Sequence, residues 1–123
     1  DAGSSVKPSV LFTVDQRPGC PTTTAQGGVI LEQTFTLTAS STVQVSAHMI
    51  STGTGRRDVN MMIDGAIVTS SLARTEVADW ADHNLAWVGT FAPGTHHIQL
   101  IAGLGGAFGC GAQWGNISTL FLQ

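Results

Sequence analysis

The sequence is poor in charged side chains. Asp, Glu, Lys and Arg make up 11% of the 123 residues, whereas an ordinary soluble domain has about 25%. Lys7 is the single lysine, and the formal net charge is −3. This balance provides no positive field for a phosphate backbone, so we expect no nucleic-acid partner. A folded surface with so few charges is either rich in hydroxyl groups or partly covered by other subunits.

Long apolar runs are also missing. No stretch of 18 or more apolar residues occurs, and we therefore expect no membrane span. The first residues contain neither a positively charged segment nor an apolar segment of the kind that makes up a signal peptide. We expect that any such peptide has been removed, that residues 1–8 are flexible or dock onto the rest, and that residues 1–123 form one domain.

Cysteine is limited to Cys20 and Cys110. Both lie in stretches rich in glycine, and neither has a second cysteine or a histidine at the spacing of a zinc site. We predict a disulfide between them, which would stabilise the fold and would indicate an oxidising, extracellular location. The sequence therefore predicts a secreted protein.

What the chain does contain is apolar alternation with a period of two, which is typical of β-strands. The alternation is clearest in the stretches 43–49 and 59–63, and Asp64-Gly65 is a strong hairpin signal after the second of them. Leu85–Gly103 predicts two strands joined as a hairpin at Pro93-Gly94. Leu72–Asn84 alternates poorly and fits either a short helical turn or a long excursion between sheets.

Seven or eight short strands and no credible long helix predict an all-β fold, an antiparallel β-sandwich of jelly-roll type with about eight strands. An immunoglobulin-like sandwich agrees less well with this sequence, because the cysteines of that fold lie on facing core strands, whereas Cys20 and Cys110 lie in glycine-rich stretches near the two ends of the chain. Val10–Val14 and Leu120–Leu122 are apolar on both faces. We expect the last strand to lie centrally in a sheet or against another subunit.

These fold markers resemble a known family. The motifs are Asp64-Gly65, Trp87-Val88-Gly89, Pro93-Gly94-Thr95-His96 and Leu120-Phe121-Leu122. Together they resemble small bacterial jelly rolls of the tumour-necrosis-factor-like and phage-fibre-head kind, over roughly residues 43–123. The resemblance implies a compact homotrimer, with the last strand near the threefold axis, and a role in binding glycans. It assigns no binding residue.

The best candidate site is the stretch from Asp79 to Asn84. An exposed indole can stack on the apolar face of a sugar, and neighbouring carboxylates and amides can bond to its hydroxyl groups. The ligand-binding candidates here are Asp79, Trp80, Asp82, His83 and Asn84. Two alternatives remain open: Trp80 could pack in the core beside a solvated acidic turn, or Asp79, Asp82 and Asn84 could hold calcium.

A second candidate is the pair Gln113 and Trp114, which would lie near Cys20 if the disulfide forms. A loop tryptophan beside amides suits a ligand, but it suits equally well a cap on one end of the sandwich. Adjacent residues of a strand point to opposite faces, so His96 and His97 cannot share a metal ion. We expect Arg56-Arg57-Asp58 to be a solvated loop end, and we expect no metal and no other cofactor.

No catalytic motif is present. The chain has no G-x-S-x-G, no H-E-x-x-H and no phosphate-cradling loop. We therefore expect a non-enzymatic module, either a secreted glycan-binding homotrimer or a structural subunit of an extracellular filament or coat. In the second case, a strand of one subunit would add to the sheet edge of its neighbour.

Overall fold

The computed structural model describes residues 9–14, 28–104 and 115–122. Cys20, Cys110, Gln113 and Trp114 lie outside these ranges, and so does the segment 1–8. The described residues form six strands and no helix. No described helix is therefore long and apolar enough to cross a membrane. The strands are β1 (Ser9–Val14), β2 (Val29–Leu37), β3 (Ser41–Ile63), β4 (Ala66–Phe91), β5 (Gly94–Leu104) and β6 (Gly115–Phe121).

Two of these strands are long enough to run through two sheets. β3 has 23 residues and β4 has 26, and they pair antiparallel along most of their length. Residues 41–53 of β3 and 79–91 of β4 join β6 and β1 in what we call the front sheet. Residues 55–63 and 66–75 of the same strands join β5 and β2 in the back sheet. Counted by sheet, the described residues form eight strand segments, in agreement with the prediction of about eight strands.

The bend between the two sheets lies at Gly53 and Gly55. Both glycines have positive φ, at 135° and 87°, and the pairing with β4 shifts register between them. Glycine adopts these angles at no steric cost, so the pair allows β3 to turn without breaking. On β4, the matching corner is the unpaired stretch 76–78.

The core fills the space between the sheets. Its centre is formed by residues of β3, β5 and β6 that are buried at every second position: Val43, Val45, Ala47, Met49, Val59, Met61, Ile98, Leu100 and Ile117. The sequence predicts this alternation correctly for residues 43–49 and 59–63. Buried Gln33 of β2 links the two sheets, since it donates to the carbonyl oxygen of Leu11 in β1 at 3.1 Å. The fold class is therefore confirmed as an all-β sandwich of jelly-roll type.

Several local predictions are confirmed as well. Asp64 and Gly65 have φ values of 50° and 86°, which is the geometry of a tight hairpin turn, and they join β3 to β4. β6 lies between β1 and β3, so the last strand is central in its sheet.

One local prediction is wrong. The stretch Leu85–Gly103 does not form a hairpin: β4 pairs with β3, whereas β5 pairs with β2 and β3. The Pro93-Gly94 step instead carries the chain from the front sheet to the back sheet. For Leu72–Asn84 the structure selects the second of the two alternatives, the excursion between sheets, because this stretch is the part of β4 that crosses from one sheet to the other.

Arg57 is the second correction. It is not part of a solvated loop end but lies within β3 with 0% of its surface exposed. Its Nη1 donates to the carbonyl oxygens of Gly53, at 2.8 Å, and Gly55, at 3.1 Å. Arg57 therefore braces the bend from inside, while neighbouring Arg56 is exposed and pairs with Asp58 at 2.9 Å.

Candidate functional site on the front sheet

The candidate site lies on the outer face of the front sheet, the side that points away from the back sheet. On β4, alternate residues reach this face, so Trp80, Asp82 and Asn84 share it. All three are exposed, and the Trp80 side chain keeps 52% of its surface accessible. Exposure of this indole contradicts the interpretation in which Trp80 packs into the core.

Strand pairing sets the neighbours of these residues, and most of them are polar. On β3, Thr52 lies opposite Trp80, Ile50 opposite Asp82, and His48 opposite Asn84. His48 Nε2 lies 2.9 Å from Asp82 Oδ1. This diagonal contact between adjacent strands holds the carboxylate in place beside the indole. The next strand continues the row, since Asn116 of β6 lies opposite His48.

The structure separates His83 from this group. His83 is fully buried, with 0% exposure, because it occupies the inward position between Asp82 and Asn84. Its ring bonds inside the sandwich to Ser51 and Ser71. A surface ligand therefore has no access to it, although the sequence places it among four exposed neighbours.

Asp79 is exposed at the corner. Its Oδ1 accepts a hydrogen bond at 2.8 Å from the backbone N–H of Trp80. Asp79 thus orients the backbone that carries the indole. Among the described residues, no group of three or more His, Cys, Asp or Glu side chains lies close enough to hold a metal ion. Gln113 and Trp114 fall outside the described ranges, and their part in a site stays a prediction.

The sequence alone does not assign two residues of this face, His48 and Phe12, to the candidate site. The outward positions Gln44, Ser46 and His48 are evident from the alternation of β3, but the sequence gives no register. Without the register, His48 cannot be matched with Asp82 or with Asn116. The second contributor is Phe12 of β1, because the pairing of β1 with β6, which the sequence does not give, places Phe12 opposite Ser118 on this same outer face.

The two histidines of β5 lie in different surroundings, as the alternation predicts. His97 is exposed on the outer side of the back sheet, near Glu32 at 3.5 Å. His96 points inward, where its Nδ1 lies 2.6 Å from Asp64 Oδ2 and its ring packs 4.5 Å from that of Phe91. Hydrogen bonds to Asp64 and to the Ala92 carbonyl raise the pKa of His96. This pair stabilises the turn between β3 and β4.

Comparison with known proteins gives matches of structure only. No family model and no curated protein matches the sequence. A CBM35 module from Cellvibrio japonicus Abf62 superimposes with a TM-score of 0.51 at 14% identity, covering 90% of this chain and 92% of the module. The CBM36-1 domain of a multidomain xylanase, from the hindgut metagenome of Trinervitermes trinervoides, gives 0.51 at 10% identity, with coverage of 90% and 96%.

A third match is much larger than this chain. Dimeric latent PorU from Porphyromonas gingivalis gives a TM-score of 0.56 at 10% identity, and the match covers 95% of this chain but 13% of PorU. At these identities the likeness establishes the fold, which whole modules and parts of larger proteins share. The resemblance to tumour-necrosis-factor-like and phage-fibre-head domains stays a prediction within the jelly-roll class.

Proposed function

We propose that this protein is a non-catalytic carbohydrate-binding module and that it binds glycans on the outer face of its front sheet. The observation that carries the proposal is the exposed Trp80 indole, which shares a face with Asp82 and Asn84 and lies beside the His48–Asp82 contact. An indole offers an apolar plate to a sugar ring, while carboxylate, amide and imidazole groups bond to its hydroxyls.

The structural matches support this proposal in a second way. Two carbohydrate-binding modules match over nearly their whole length, so a domain of this size and fold is sufficient for a glycan-binding module. The sequence adds the absence of catalytic motifs and a surface poor in charge. Secretion and a homotrimeric assembly remain part of the proposal.

The test is binding to a panel of soluble polysaccharides by affinity electrophoresis, followed by calorimetry on those that retard the protein. Trp80→Ala should weaken binding about tenfold, since a lost aromatic contact of about 1.4 kcal/mol corresponds to that factor. The matched control is Val88→Ala, because Val88 is on the same strand and face and is 61% exposed. Equal binding by wild type and Trp80→Ala would remove the site assignment.

One observation favours the alternative of a self-assembling subunit. β1 is an edge strand that pairs only with β6 among the described strands, and its Val10 and Phe12 side chains are largely exposed. An exposed apolar edge can accept a strand from a neighbour. Light scattering with negative-stain imaging separates the two proposals. A discrete species near three chains supports the homotrimer, whereas open-ended polymers support the filament.

A further inference from the structure

The outer face of the front sheet has an exposed aromatic ring at each of its two edges. Trp80 lies on the β4 edge, and Phe12, 58% exposed, lies on the β1 edge. The pairing places Phe12, Ser118, Ser46 and Ala86 opposite one another across the sheet. Trp80 is six residues from Ala86 along β4, and three strand spacings separate β4 from β1. The two rings are therefore about 25 Å apart along a diagonal.

The side chains along the diagonal between the two rings are mostly polar. From Trp80 toward Phe12 the polar ones come from three strands: Asp82, Asn84, His48, Asn116, Ser46 and Ser118. The apolar side chain among them is Ile50 of β3, which lies opposite Asp82. Each polar residue is exposed or half-buried. Amides, hydroxyls, an imidazole and one carboxylate spaced along this strip match the hydroxyl groups along a sugar chain, whereas a single sugar would contact only one end of it.

The described part of this face carries no lysine or arginine. The four front-sheet segments, residues 9–14, 41–53, 79–91 and 115–121, contain neither residue type. The acid that faces outward on the strip is Asp82, and His48, the one basic side chain on it, is already hydrogen-bonded to that acid. Among the described residues of this face, a uronic acid would thus meet a carboxylate with no lysine or arginine to pair with it, and like charges at close range repel.

We infer that this face holds an extended, uncharged polysaccharide chain along the diagonal from Trp80 to Phe12. The inference rests on the proposed function and adds to it the ligand class and the second anchor. Trp80 stacks on one part of the chain and Phe12 on a part several sugars away. Binding energy therefore accumulates with chain length until both rings are covered.

The test is calorimetry with β-1,4-linked gluco-, xylo- and manno-oligosaccharides from two to six units, and with an oligogalacturonate of six units. For at least one neutral series, affinity should rise tenfold or more from the disaccharide to the hexasaccharide. Trp80→Ala should weaken binding at every length. Phe12→Ala should weaken the hexasaccharide and leave the disaccharide unchanged. Val10→Ala is the control, since Val10 is exposed on the same edge strand and face but off the diagonal.

The outcomes separate the two proposals. Binding that is equal for two and six units, or insensitive to Phe12→Ala, overturns the extended site and leaves the glycan-binding proposal standing. Tighter binding of the oligogalacturonate overturns the neutral-ligand assignment. If protein whose unfolding transition shows that it is folded binds no saccharide, both the extended site and the glycan-binding proposal are overturned. A dimer in light scattering that Phe12→Ala dissociates would show that a second copy of this chain covers the face instead.

Discussion

The imidazole of His83 lies against the hydroxyl of Ser51, with 2.7 Å between His83 Nε2 and Ser51 Oγ. The other ring nitrogen, Nδ1, lies 3.1 Å from the carbonyl oxygen of Ser71. A carbonyl can only accept, so Nδ1 carries the proton and Nε2 accepts from Ser51. Arg57 Nε donates to the same hydroxyl at 2.9 Å. The buried corner of the sandwich thus has a fixed donor direction, from Arg57 through Ser51 to His83.

This arrangement predicts a loss of stability in acid. Burial lowers the pKa of His83, and the positive charge of Arg57 lowers it further against the opposing bond to Ser71. In the unfolded chain, His83 therefore takes up a proton near pH 6.5, whereas in the folded protein it stays neutral to lower pH. The free energy of unfolding consequently falls as the pH drops from 6.5 toward the folded pKa. Urea unfolding at closely spaced pH values from 7.5 to 5 measures this slope.

His83→Gln should remove the slope and lower the free energy of unfolding by about 1–3 kcal/mol at neutral pH, because one buried partner is lost. His97→Asn serves as the control, since His97 is exposed on the back sheet, and it should keep the slope. An unchanged acid slope in His83→Gln would show that another group is responsible.

The His96–Asp64 pair predicts a loss of stability as the pH rises, whereas His83 predicts a loss as the pH falls. The hydrogen bond to Asp64 raises the pKa of His96, and the Ala92 carbonyl adds to it. A raised folded pKa contributes stability that is complete below pH 6.5 and disappears as the pH rises through the folded pKa. For Asp64, burial acts to raise the pKa, but the bonds from His96 and His97 outweigh it and lower the pKa. The contribution of Asp64 is therefore present above pH 3.8 and lost as the pH falls through its folded pKa.

Asp64→Asn tests this pair with little disturbance of the turn, because asparagine tolerates the positive φ of 50° at that position. The variant should lose the decline in unfolding free energy above pH 6.5, and the pKa of His96, followed by NMR, should fall. Asp82→Asn is the matched control, as it removes a carboxylate beside a different histidine, His48. A His96 pKa that does not move in Asp64→Asn would contradict the assignment.

The sequence predicts the strands well where burial alone decides them. Val43, Val45 and Met49 are inward by alternation, and period-two burial is a local property that any one-sided strand must show. The Asp64-Gly65 turn is predictable for the same reason, since its backbone angles depend on the two residues themselves.

What the sequence misses depends on contacts between distant residues. Arginine is rarely buried, and Arg57 is buried because Ser51 and Thr75 meet it at a bend that two long strands make together. The face of Trp80 and its polar neighbours depends on register with β3 and β6. Pro93-Gly94 has the composition of a hairpin turn, but the partner of β5 is set by the back sheet.

Gln33 gives a prediction about the contact between the two sheets. Its Nε2 donates to Leu11 O and to Thr13 Oγ1, each at 3.1 Å, and its Oε1 accepts from the hydroxyl of Thr119 at 2.5 Å. Gln33→Leu leaves the buried Thr119 hydroxyl without this acceptor, and it should lower the free energy of unfolding by about 1–3 kcal/mol. Urea denaturation measures the loss.

Adding Thr119→Val should recover part of that loss, because removing both partners of a buried hydrogen bond costs less than orphaning one. Thr119→Val alone is the matched single variant and should also destabilise, since it leaves Gln33 Oε1 without its donor. Losses that simply add in the double variant would mean that the two side chains are not energetically coupled.

Gly89 gives a prediction about packing at the β4 edge. A β-carbon at this position would overlap the ring of Trp87, which packs 5.5 Å from the ring of Phe91. Gly89→Ala must displace the indole, and we expect a loss of about 1–3 kcal/mol of unfolding free energy with a change in near-ultraviolet circular dichroism. Thr90→Ala, at the exposed neighbouring position, should change neither. Full stability in Gly89→Ala would show that the indole can move away freely.

The residues that flank the two cysteine-containing segments support the predicted Cys20–Cys110 disulfide. Val14, where β1 ends, pairs with Asn116, and Gly115 begins β6 beside it. At the other ends of the segments, Gly28 O accepts from Ala102 N at 2.9 Å, two residues before β5 ends. The described residues that flank segments 15–27 and 105–114 therefore lie at the same end of the sandwich, and on this ground we predict that Cys20 bonds to Cys110.

The intact mass of unreduced protein should then be lower by the two thiol hydrogens, and a tryptic digest should contain a linked peptide that reductant separates. In the chain-entropy account, reduction should lower the free energy of unfolding by roughly 4–5 kcal/mol, because the bond closes a long loop. The double variant Cys20→Ser/Cys110→Ser should have the same free energy of unfolding as reduced wild type, and reductant should not change that value. Two free thiols in protein purified without reductant would contradict the bond, and with it the main sequence argument for an extracellular location.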